Sequence, residues 1–162
     1  KIRLISGQYR IYARDLTGAE SELRRALELS PGSPYVRRFL GRALLEQGRV
    51  REAMTEFANA AYSPPIAAEF GKAAATGNWR SGVSAVLAAG RAETGRACSV
   101  DPGSDAFWYA YLGNPDAMLT CLETAIARRQ FNRLPYLLSD PVFAPYRSAP
   151  RFVAVLRALG HE

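Results

Sequence analysis

The sequence predicts an all-α fold built from antiparallel helix pairs, and three observations carry that prediction. Apolar residues recur three and four apart over long segments, the spacing that lines one face of a helix. No useful run alternates apolar and polar residues as a half-buried strand would. A pattern of small residues and a proline also repeats: Ala19, Ala26 and Pro31 return as Ala53, Ala60 and Pro65, each 34 residues on.

The elements follow in order. A first helix runs from about Ile2 to Arg14 and a second from about Ala19 to Leu29. Tyr35 to Gln47 carries Val36, Phe39, Leu40, Ala43 and Leu44 on one face. Val50 to Tyr62 does the same with Val50, Ala53, Met54, Phe57, Ala60 and Ala61. Gly48 stands between them, where glycine can take the left-handed conformation that ends a helix. A looser pair covers Ile66 to Thr76 and Trp79 to about Arg91, split by Gly77-Asn78. Gly95, Pro102 and Gly103 make residues 93–103 read as a linker or broken helix. Ser104 is the expected N-cap of a helix from Asp105 to Leu112. After the turn Gly113-Asn114-Pro115, Asp116 to Arg129 turns Ala117, Cys121, Leu122 and Ala125 inward. Pro141, Pro145 and Pro150 then break the chain into short turns. Phe152, Val155, Leu156 and Leu159 line a last helix.

The segment Leu40-Gly41, Leu44, Gly48, Ala53, Phe57, Ala60, Pro65 resembles the tetratricopeptide-repeat signature almost position by position. In that resemblance, small residues at Gly41, Ala53 and Ala60 let paired helices approach closely, and Phe57 fills the space between pairs. Leu23 takes the bulky position of the first repeat, and Gly82 stands where alanine is usual in the third. Arg37 replaces an aromatic, and Arg10 a large apolar residue. The resemblance implies a right-handed superhelical solenoid of about four pairs, over 1–33, 34–63, 64–100 and 104–130, with residues 131–162 as a C-terminal cap. Tyr109 to Asn114, Leu122 to Ala125 and Leu138 to Phe152 resemble the ending of the repeat region in many bacterial regulatory proteins. Those include adenylate or guanylate cyclases, winged-helix transcriptional regulators and serine/threonine kinases. A terminal cap is needed because a solenoid's last repeat exposes an apolar side.

Composition narrows the function. The 162 residues are 48% apolar, enough for a sizeable core. No stretch of about 18 apolar residues exists to span a membrane. The chain starts at Lys1 without a methionine, which reads as a piece of a longer protein; cytoplasmic is the default location. The net charge is +6, and its excess sits in residues 1–51, which attracts acidic partners. Cys98 and Cys121 lack metal-ligand spacing; two buried thiols are the default reading and a disulfide is the open alternative. No metal and no cofactor are expected. His161 sits beside the terminus, and the only lysines are Lys1 and Lys72, so neither a catalytic triad nor a phosphate loop is assembled. Asp116 and Asp140 lie beside turns and read as helix caps. The expected role is binding, not catalysis.

The resemblance places the first helix of each pair on the concave face. Tyr35, Arg38 and Arg42 form one stripe there, with Leu45 or Glu46 a turn further. Phe107, Ala110 and Tyr111 form the stripe of the fourth pair; Leu4, Gln8 and either Ile11 or Tyr12 form that of the first. The expected partner is a protein or peptide with an acidic end and a hydrophobic anchor. The chaperone-tail clamp is not expected, because Leu4, Gln8 and Phe39 occupy its Lys and Asn positions. One alternative is a homodimer or scaffold through exposed Ile2, Leu4, Ile5 and Ile11. Nucleic-acid contact through the basic first third ranks last.

Overall fold

In a computed structural model, residues 2–130 and 139–160 are described. The helices are α1 (Ile2–Tyr12), α2 (Leu16–Leu29), α3 (Pro34–Glu46), α4 (Val50–Asn59), α5 (Pro64–Thr76), α6 (Trp79–Thr94), α7 (Pro102–Leu112), α8 (Pro115–Ala127) and α9 (Pro150–Ala158). A 3-10 helix covers Pro141–Tyr146, and no strand occurs among the described residues. Contacts divide the chain into two compact units, Lys1–Val86 and Leu87–Glu162.

In the first unit each helix packs on the next from α1 to α5, and short turns make successive helices antiparallel. The buried stripes supply the core: Ile11, Ala19 and Leu23, then Leu40, Ala43, Leu44, Ala53 and Met54. Phe57 stacks on Phe70 with ring centroids 5.5 Å apart, which puts it between pairs as expected. Asp15 caps α2 by accepting from the Gly18 amide, and Ser33 caps α3 by accepting from Val36. Pro64 and Pro65 begin α5, where a missing N–H costs nothing.

The 34-residue repeat extends to atomic contacts. A Cβ on Gly7 would lie 2.6 Å from Leu23 Cγ, and one on Gly41 would lie 3.1 Å from the Phe57 ring. Gly7 and Gly41 are one repeat apart, as are Leu23 and Phe57. Glycine therefore sits where the bulky residue of the second helix crosses the first. In the third pair the glycine has changed sides: a Cβ on Gly82 of α6 would collide with the Ala73 Cβ of α5.

In the second unit α7 packs on α8, α8 on α9, and the 3-10 helix on α7. Three expectations are corrected here. Asp101, not Ser104, caps α7; its carboxylate accepts from the Ser104 amide at 3.1 Å. Asn114 caps α8, so Asp116 lies in the first turn and pairs with Arg151. Cys98 and Cys121 are joined as a disulfide, not held as thiols, because α8 brings Cys121 to a Cα–Cα distance of 5.8 Å from Cys98. The expected linker or broken helix over 93–103 is shorter, since α6 continues to Thr94 and α7 starts at Pro102, ahead of the expected Asp105. Asp140 caps the 3-10 helix as expected, accepting from the Val142 amide at 3.0 Å. Phe152 and Val155 are buried, with Leu156 and Leu159 half-buried. Leu138 and the rest of 131–138 lie outside the described residues, as does His161.

Candidate binding face

The stripe on α3 grades from exposed to buried. Tyr35, at the start of the helix, is 56% exposed. Arg38, one turn on, is half-buried, with its guanidinium 5.9 Å from the Tyr35 ring centroid. Arg42, a further turn on, is only 4% exposed. Its guanidinium lies 5.4 Å from the centroid of Tyr12 on α1, within cation–π range. Arg42 Nε also donates to Glu46 Oε1 at 2.9 Å. The other oxygen of Glu46 accepts from Arg14 at 2.7 Å.

Two of the first helix's candidates join this network. The Gln8 side-chain amide donates to the Tyr12 hydroxyl at 2.7 Å, and Gln8 is itself buried. The structure thus separates the paired options of the first stripe. Tyr12 faces α3, whereas Ile11 is fully buried in the core and belongs to no surface. The same holds on α3, where Leu45 is buried and Glu46 reaches the network. Burying Arg42 is tolerable because its charge meets a carboxylate and an aromatic face together. Arg42 and Arg14 thus both meet Glu46 where α3 faces Tyr12 and the turn after α1.

Phe107 and Tyr111, the candidates on α7, lie in the second unit and are described separately. Both are half-buried, with ring centroids 4.8 Å apart. Each also meets Trp108, at 5.4 and 6.0 Å. Trp108 is buried, and Ala110 is held from the other side, its carbonyl accepting from the Tyr146 hydroxyl at 3.3 Å. Tyr109 accepts from Arg91 through its hydroxyl. Phe107, Trp108 and Tyr111 thus form one ring cluster on α7.

Beneath α7 lies a constellation that spacing did not signal. Asp105 is buried, and its carboxylate accepts from the Ser99 amide at 2.5 Å and the Ser99 hydroxyl at 2.9 Å. Burial raises its carboxyl above the usual range, against the opposing pull of the Ser99 hydrogen bonds. One ligand atom from each of Cys98, Asp105 and Cys121 lies within 4.8 Å of the others. With the sulfurs bonded to each other, they offer no thiolate to a metal. The cluster serves to anchor residues 98–100, helped by Arg128, which donates to the Ser99 carbonyl at 2.9 Å.

The basic excess of the first third is heavily paired. Arg3 meets Glu22, Arg24 meets Glu20, Arg37 meets Glu56, and Arg49 meets both Glu20 and Glu52.

Residues 10–65 match a family model described as tetratricopeptide repeat, a span holding the α3 stripe, Tyr12, Arg14 and the Gly41–Phe57 contact. No curated protein and no solved structure matches the chain. The match supports a tetratricopeptide-type domain, and such repeats generally mediate protein–protein interaction. No enzyme family is indicated. No helix among the described residues is long and apolar enough to cross a membrane.

Proposed function

We propose that the first unit binds an acidic peptide segment of a partner protein along α3, and that this binding regulates a larger bacterial signalling or transcription-controlling protein. The observation that carries this reading is the Tyr35–Arg38 pair. An exposed aromatic ring and a guanidinium lie side by side on one helix face. Tyr35 offers a rigid apolar surface, and Arg38 places a positive charge beside it. Arg42 and Glu46 act behind them. Their network with Tyr12 and Arg14 ties α3 to α1 and the turn that follows it.

On the second unit, the half-buried Phe107 and Tyr111 are proposed to meet a hydrophobic part of a partner. The Cys98–Cys121 disulfide supports a compartment in which disulfides persist over a reducing cytoplasm. Nucleic-acid binding is disfavoured, because the arginines that would form a continuous basic face are committed to carboxylates.

Selection of random peptides displayed on phage against the immobilised chain tests the reading. Selected sequences should be rich in Asp and Glu, and their binding should weaken at least tenfold with Arg38→Ala. Absence of enrichment, or binding indifferent to that substitution, would refute it.

A further inference from the structure

We infer that Cys98, Cys121 and Asp105 form a redox-gated site for a thiophilic divalent ion such as zinc, closed while the cysteines are bonded and opened when they are reduced. Cys98 and Cys121 are each 1% exposed, and Asp105 is 7% exposed. All three lie in the second unit and reach the cluster from different elements. Cys98 comes from the segment between α6 and α7, Asp105 from the first turn of α7, and Cys121 from α8.

The disulfide alone leaves the carboxylate unexplained. Bonded sulfurs are neutral, and burying a carboxylate beside them costs free energy when no cation meets it. The two hydrogen bonds from Ser99 offset part of that cost. They also hold the carboxylate as ligating carboxylates are held, by donors behind them. A cation between the two sulfurs and Asp105 would supply the missing opposite charge.

The spacing suits a tetrahedral ion. With Zn–S of about 2.3 Å and Zn–O of about 2.0–2.2 Å, neighbouring ligand atoms stand roughly 3.6–3.8 Å apart. The three atoms here already fall within 4.8 Å of one another, and the cysteine Cα atoms are 5.8 Å apart. Reduction lets the sulfurs part by side-chain rotation. Two thiolates select a thiophilic ion over magnesium or calcium, and water takes the fourth position, as in zinc sites with three protein ligands. The three anionic ligands exceed the ion's charge by one. Arg128, which donates to the Ser99 carbonyl at 2.9 Å, sets a positive charge beside them.

The opening step is driven by a dithiol reductant. It breaks the Cys98–Cys121 bond, each sulfur gains one electron and one proton, and the dithiol closes into its own disulfide. The ion then displaces both thiol protons to solvent and forms two metal–sulfur bonds and one metal–oxygen bond.

Zinc uptake by the full 162-residue chain tests this, measured by competition with a chromophoric chelator. The chain is reduced with a dithiol, desalted without air, and followed by circular dichroism. The reduced chain should take up one zinc ion and the oxidised chain none. Asp105→Asn, which keeps an acceptor for Ser99, should weaken uptake at least about tenfold. Cobalt in place of zinc should give a sulfur-to-metal absorption band that Cys98→Ser with Cys121→Ser removes. A reduced chain that keeps its helical signal and binds no zinc overturns the proposal. So does uptake that Asp105→Asn leaves unchanged, or equal uptake by the oxidised chain. A helical signal lost on reduction and not restored by zinc overturns it as well.

Discussion

Arg14 and Gly48 stand 34 residues apart and hold the same left-handed backbone, with φ of +64° and +79°. The hydrogen bonds around them match. The Arg14 amide donates to Ile11 and that of Gly48 to Leu45, both at 3.0 Å; the next residues, Asp15 and Arg49, donate to Arg10 and Leu44, both at 2.9 Å. The repeat is thus a property of the backbone as well as of side-chain types. Gly48→Ala should cost about 1 kcal/mol, since an L side chain is strained there. Arg14→Gly should leave stability within about 0.5 kcal/mol, because relief of strain offsets loss of an exposed ion pair. Urea unfolding of both variants checks the pair of values.

The exchange of glycine between helices predicts a rescue. Gly82→Ala alone should destabilise the first unit by about 2–3 kcal/mol, since its methyl meets that of Ala73. Adding Ala73→Gly removes the opposing methyl and returns the glycine to the first helix of the pair. It should recover most of the loss, less about 1 kcal/mol for glycine within a helix. Melting temperatures of the single and double variants decide this.

For the second unit the disulfide is the main prediction. Cys98→Ser with Cys121→Ser, or reduction of the native chain, should lower its stability by about 2–4 kcal/mol. Hydrogen exchange should accelerate first in residues 95–101, the segment that the bridge ties to α8.

Asp105 gives that unit a pH dependence with a definite sign. Burial raises its folded pKa, so its contribution is fully present below the unfolded value of about 3.9 and is lost as pH rises through the raised value. Comparing denaturant midpoints of the native chain and Asp105→Asn should show the variant gaining relative to the native chain as pH rises from about 3.5 to 7. A difference between them that does not change with pH would contradict the assignment.

Much of the fold was legible in the sequence because it is local. Helix faces, the Gly41 and Phe57 contacts and the proline starts depend on residues within one repeat. Where neighbouring polar residues compete, as Asp101 does with Ser104, local signals do not choose the cap. The site was less legible. Tyr35, Arg38 and Arg42 share a stripe by spacing, yet only the structure shows Arg42 closed off by Tyr12, a residue one repeat away. The disulfide was invisible for the same reason: its two cysteines meet only once α8 has folded back past residue 98.

This grading of the stripe separates stability from binding, and so supplies the most direct test of the binding face. Arg42→Ala should destabilise the first unit by about 2 kcal/mol, because it leaves Glu46 and the Tyr12 face without their buried cation. Arg38→Ala should change stability by less than about 0.5 kcal/mol. The deciding measurement is calorimetric titration of an acidic peptide selected on the native chain into both the native chain and Arg38→Ala, with melting curves recorded alongside. At least a tenfold loss of affinity at unchanged melting temperature is the predicted result. Unchanged affinity in Arg38→Ala would contradict the assignment of α3 as the ligand-facing helix.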